Sequence, residues 1–152
     1  TIYYYLGVCY QVLGGVDPAH HEENTDKAIG FFRLAMKYSP SYAEAITDLI
    51  NLLGAEKPAE RTMRIEALRT LARYNHEAIG NYLAQVGELA REERFPAAES
   101  LLKDLADATA ALDSYPEVLD AFAQFYEVQR NAAAFRDAVA RLRAKYPRRD
   151  ER

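Results

Sequence analysis

The chain has 152 residues, 49% hydrophobic and 28% charged, which suffices for one ordinary buried core and excludes a wholly disordered polymer. Its single Cys excludes an internal disulfide and argues against a Cys-based zinc site, and no apolar run approaches the roughly 18 residues of a membrane-spanning helix. A net charge of −4 and a pI near 5.4 argue against a dedicated nucleic-acid binder, because phosphate contact needs basic surface.

Apolar residues recur at three- and four-residue spacing along almost the whole chain, and Ala, Leu, Glu and Arg dominate. The first residues already read as the inside of a helix, predicted over 1–13. No signal-type layout precedes it, so the chain is expected to be a piece of a longer protein whose compartment the sequence does not fix. Tyr3 is expected in the core, Tyr4 or Tyr5 exposed, and Cys9 buried as a small apolar residue. Gly14 to Asn24 is expected to be a long solvated loop or contact arm. It holds His20-His21-Glu22-Glu23, whose adjacent side chains diverge and lack metal-ligand spacing, so no metal is assigned.

Helices follow over 25–38 and 41–54, the second with a capping signature of Ser41 and Glu44. The next spans 58–74 and carries Arg61, Arg64, Arg69 and Arg73. At 100° per residue these spread over more than half its circumference, with Glu60 and Glu66 among them. A solvated face with intrahelical pairs is expected there, and an anion or RNA contact is the alternative. Helices over 77–92, 95–111, 115–129 and 131–146 complete eight. Phe95-Pro96 and the pair Ser114 and Glu117 mark two of the starts. Residues 148–152 form a charged tail. The fold class is all-α.

The helices alternate in two patterns. Every other one repeats large, large, small, large: Tyr3, Leu6, Gly7, Tyr10; Ile46, Leu49, Ile50, Leu53; Leu83, Val86, Gly87, Ala90; Leu119, Phe122, Ala123, Tyr126. Successive sets are 43, 37 and 36 residues apart. The intervening helices answer with Ala28, Phe32, Ala35; Ala67, Leu71, Tyr74; Ala98, Leu102, Leu105; Phe135, Val139, Leu142. Small residues in such patterns let helix backbones cross closely.

These residues resemble the tetratricopeptide repeat (TPR) family, whose unit is a helix–turn–helix of about 34 residues. The closest match is Leu6-Gly7, Tyr10, Ala28, Phe32, Ala35 and closing Pro40; Pro147 closes the last unit similarly. The resemblance covers residues 1–147 as one repeat domain. Ile50 stands at a small position and two units lack the closing Pro, so a Sel1-like or HEAT-like solenoid fits the same degeneracy. The resemblance implies a right-handed α-solenoid of about four hairpins. Its first helices would line a concave groove for an extended peptide or a partner's helix.

Carried onto this chain, the groove positions are Tyr4, Val8 and Gln11; Glu44, Thr47 and Asn51; Asn81, Ala84, Glu88 and Arg91; and Glu117, Asp120, Gln124 and Glu127. The set holds five acids against one base, which favours a basic or neutral partner segment; helix faces also carry Glu for solubility alone. Lys and Arg are missing where the family's carboxylate-capturing members hold them: Tyr4, Val8, Asn81 and Gln85 stand there, with only Asn51 suggestive. No nucleophile motif or phosphate-cradling loop is present. The expected function is therefore a non-catalytic protein–protein interaction scaffold without a cofactor. Two alternatives stand beside it: a regulatory or docking segment of a larger enzyme or sensor, and, more weakly, an RNA-binding helical repeat. An uncapped first helix further predicts packing on an upstream segment or on another copy of the chain.

Overall fold

The computed structural model describes residues 1–54, 57–112 and 115–147; the charged tail and Ser114 lie outside them. Among the described residues there are eight α-helices, one 3-10 turn and no strand: α1 (Ile2–Val16), the 3-10 turn Pro18–His20, α2 (His21–Tyr38), α3 (Ala43–Leu52), α4 (Pro58–Tyr74), α5 (His76–Arg91), α6 (Phe95–Thr109), α7 (Pro116–Val128) and α8 (Ala132–Lys145). Prolines open α4, α6 and α7 within their first turns, where the missing N–H is not needed. Asn75 and Asn131 each accept a backbone N–H three residues on, from Ala78 and Ala134, at 3.2 Å. These are Asx caps for α5 and α8.

The chain divides into two compact units, Thr1–Ala78 and Ile79–Arg152, with the boundary in the first turn of α5. In the first unit, α1 packs on α2, α2 on α3 and α3 on α4. Phe32, Ile46, Leu49, Leu68 and Leu71 form its fully buried centre. Gly7 lies directly against Phe32: a Cβ there would stand 2.6 Å from the ring, so only glycine fits this crossing. In the second unit, α6 packs on α7 and α7 on α8. Ile79, Leu102, Leu105 and Val118 are fully buried there, together with Asp104.

Two turns of the second unit have the same construction. Glu93 and Arg130 hold left-handed backbone with φ of 58° and 55°. Beside them, Arg94 donates its N–H to Leu89 and Asn131 donates its N–H to Tyr126, both at 2.9 Å. Each is a six-residue closure of a helix C-terminus without the usual glycine. The two turns lie 37 residues apart, against 36 for the sequence sets on the α5 and α7 helices that they close.

Several expectations need correction. Gly14–Asn24 is not a loop: α1 continues through Gly14 and Gly15 to Val16, and α2 starts at His21 after one 3-10 turn. His21 locks this corner by donating Nδ1–H to the Gly14 carbonyl at 2.7 Å, and Gly14 is buried beside Asn24 and Thr25. Cys9 is exposed, because it lies opposite Gly7 and Gly14 on α1. Leu6 is likewise exposed. Tyr3 is half-buried, stacked on the Tyr38 ring at 5.5 Å. Tyr74 is exposed, and Leu68 takes the core place; on α4 the buried pair is Leu68 and Leu71, the spacing that Phe32 and Ala35 have on α2. Gly87 is no helix crossing, since a Cβ there would meet open space. Ser41 does not cap α3, whose N-cap is Tyr42 with no side-chain cap bond.

Candidate functional site

Polar and aromatic side chains converge in the first unit where α1 meets the start of α3. Burial of Ala45, Ile46, Leu49 and Ile50 on one side of α3 leaves Glu44, Thr47, Asp48 and Asn51 on the other. On α1, Tyr4, Val8 and Gln11 follow at four- and three-residue spacing. Tyr4 and Gln11 are half-buried, and Val8 is also partly covered. The Tyr4 ring meets the Tyr42 ring edge-on at 5.1 Å and packs against Phe32 at 6.0 Å and Tyr5 at 5.4 Å. The Tyr4 hydroxyl donates to Asp48, and the Tyr42 hydroxyl donates to Glu44 Oε2 at 3.0 Å. Each phenol thus presents a carboxylate beside an aromatic edge.

The electrostatics follow from that arrangement. Burial, then the Asp48 and Glu44 charges, push the Tyr4 hydroxyl above its ordinary value. Burial, then the bond to Glu44 and its charge, push Tyr42 up to about 12. Asp48 is itself raised, by burial first and by Glu44, against the opposing effect of the Tyr4 bond. Two carboxylates therefore share a partly dry aromatic surface, and their mutual repulsion is what a cation from outside would relieve.

The other predicted positions fall on separate surfaces. In the second unit, Glu117, Asp120, Gln124 and Glu127 do come together, along an open groove of about 650 Å³ between α7 and α8. Its far wall is Phe135, Val139, Leu142 and Tyr146, with Arg143 the base among its lining residues, and Gln124 donates to Asp120 at 2.7 Å. A smaller cleft of about 120 Å³ lies between α5 and α7, lined by Leu83, Val86, Gly87, Arg91 and Phe125 among others. Asn81, Ala84 and Glu88 line neither; they lie on the side of α5 away from its buried residues Ile79, Tyr82, Val86 and Ala90.

The arginines of α4 do not form one solvated face: Arg73 is exposed, whereas Arg61, Arg64 and Arg69 are half-buried. Arg73 lines a groove of about 550 Å³ in the first unit together with Arg33 and Lys37 of α2, with Glu66 as its acid. His20 donates to Asp17 at 2.8 Å and His21 to Gly14. Among the described residues no group of three or more His, Cys, Asp or Glu could hold a metal ion, and no helix is long and apolar enough to cross a membrane.

Sequence reasoning missed Tyr42 and Asp48; it expected Tyr4 or Tyr5 to be exposed, and Tyr5 is. Asp48 stands four residues after Glu44, a helical neighbour on the same face, and that spacing was the available signal. Tyr42 precedes α3, so no helical offset pointed to it. No family model and no curated protein matches this chain.

Proposed function

We propose that the chain is a non-catalytic protein–protein interaction scaffold, a right-handed array of TPR-like hairpins that binds a basic peptide or helix through the faces of its first helices. The carrying observation is the convergence of Tyr4, Tyr42, Glu44 and Asp48 on one face of the first unit. Aromatic edges and faces supply area at low entropic cost, and the paired carboxylates favour Lys or Arg from the partner. The repeat reading is supported by the two like turns 37 residues apart and by the buried pairs Ala28 and Phe32, Ala67 and Leu71, and Ala98 and Leu102 at matching places in α2, α4 and α6.

The test is selection of random peptides on the whole chain, followed by affinity measurement of the winners. Enriched sequences should carry net positive charge. Glu44→Gln with Asp48→Asn should weaken them about tenfold, as should raised salt, in keeping with partly exposed charge pairs. Winners without positive charge, or binding indifferent to the double variant, would refute the proposal.

A further inference from the structure

The outward side of α1 is apolar from end to end. Ile2, Tyr5, Val12 and Val16 are 70%, 63%, 58% and 71% exposed, Leu6 and Leu13 are exposed too, and Cys9 lies between them. At 100° per residue these seven positions fall within an arc of about 120°, opposite the Gly7–Gly14 edge that packs on α2. The helix carries no Asp, Glu, Lys or Arg at all. A surface helix of a folded domain ordinarily turns charge to water on this side, and a contiguous apolar stripe of this size marks an interface.

The order of residues along the stripe says what fits it. Cys9 is its midpoint, and reversing the helix about Cys9 places Ile2 on Val16, Leu6 on Val12 and Tyr5 on Leu13. Every pairing is apolar with apolar, and no like charges meet. The stripe is self-complementary under a two-fold axis, the requirement of an isologous contact. We propose that this face binds a second copy of the chain, the two α1 helices lying antiparallel with Cys9 beside its symmetry mate.

The area sets the strength. A helix of this length is about 22 Å long, and such a face buries roughly 500 Å² per copy, near the lower end for specific complexes. The dimer is accordingly reversible, with a Kd on the order of tens of micromolar. Helix axes about 8–10 Å apart bring facing Cα atoms to roughly 3.5–5.5 Å, given a Cα radius of about 2.3 Å. That range overlaps the Cα separation a disulfide spans. The contact leaves Glu44 and Asp48 untouched and shares only Tyr5 with the α1–α3 face, so Val12→Glu tests it apart from the carboxylates of peptide binding.

Sedimentation equilibrium of the whole reduced chain, from about 1 to 300 µM, spans the expected Kd. It should give a monomer–dimer equilibrium that Cys9→Ser preserves. Val12→Glu should weaken it more than about a hundredfold, because a carboxylate would be buried against Leu6 of the other copy. Glu is a better helix former than Val, so the exposed substitution keeps α1 folded, which circular dichroism verifies. Mild oxidation with copper–phenanthroline should join two copies through Cys9 in native buffer, and not in urea or in the Val12→Glu variant. A monomer throughout the range would overturn the proposal. So would growth beyond dimers, which would mean that α1 docks head-to-tail on the α7–α8 groove of the next copy. A dimer indifferent to Val12→Glu, or one without the Cys9 cross-link, would also overturn it.

Discussion

The two units carry a similar sequence pattern of residue sizes and fill it differently. In the first, a glycine on α1 admits an aromatic ring from α2, and Tyr3, Tyr10 and Tyr4 pack on Tyr38, Phe31 and Phe32. In the second, the corresponding positions of α8 hold Phe135, Val139 and Leu142, which stay half-buried beside an open groove. The lesson is that a pattern of residue sizes specifies which side of a helix turns inward, while the partner present on that side decides how far it is buried. Phe32 is sealed because α1 and α3 flank α2, whereas α8 packs mainly on α7.

The sharpest way to break this contrast is to truncate one aromatic from each unit. Phe32→Ala should cost about 3–5 kcal/mol, the range for emptying a fully enclosed aromatic site. Phe135→Ala should cost less, about 1–2 kcal/mol, since this half-buried side chain lines an open groove. Urea unfolding of the two variants measures both. Equal losses would mean that the α7–α8 groove is closed in solution.

A smaller effect separates the glycines. Gly7→Ala drives a Cβ into the Phe32 ring; overpacking of about 1–3 kcal/mol outweighs the gain of up to about 1 kcal/mol in helix propensity, and stability should fall. Gly87→Ala meets nothing and should raise stability by about 0.5–1 kcal/mol. Opposite signs at two positions of one sequence pattern would be the signature of unequal packing, and melting temperatures are enough to read it.

The smallest effect is alkaline. Tyr42 holds its proton up to about 12 in the folded chain, against an ordinary value of 10.0. The unfolded chain therefore loses that proton first. The stabilisation is fully present below pH 10 and declines as pH rises through the folded value. Absorbance titration of tyrosinate should show a late-ionising step that Tyr42→Phe removes, and the variant's stability should fall less steeply over that window.

Much of the fold was legible because helical periodicity and proline starts are local signals. The boundaries of α4 matched the prediction, and those of α5 through α8 fell within two residues of it. The Gly14–Asn24 segment was illegible for a physical reason. Two glycines and a proline are breakers by propensity, yet here Gly14 is buried against α2 and His21 satisfies its carbonyl, so tertiary contact overrides local preference. The exposure of Cys9 follows from which edge of α1 holds glycine, and apolarity alone could not distinguish an inward from an outward side. At the α1–α3 face, Tyr4 and Glu44 were found through the family resemblance. Tyr42 was not, because its place depends on how the chain enters α3 rather than on any helical offset.

The paired turns at Glu93 and Arg130 have a consequence for building with this chain. They share a left-handed residue and the same closing hydrogen bonds, so a copy of residues 95–131 would begin and end on like joints. A tandem copy of that segment inserted directly after Asn131 would meet the same left-handed joint it left. Its new α6-type helix would then offer an apolar side to the wall of α7 that α8 now covers. Length, in this half of the molecule, would then grow in steps of 37 residues.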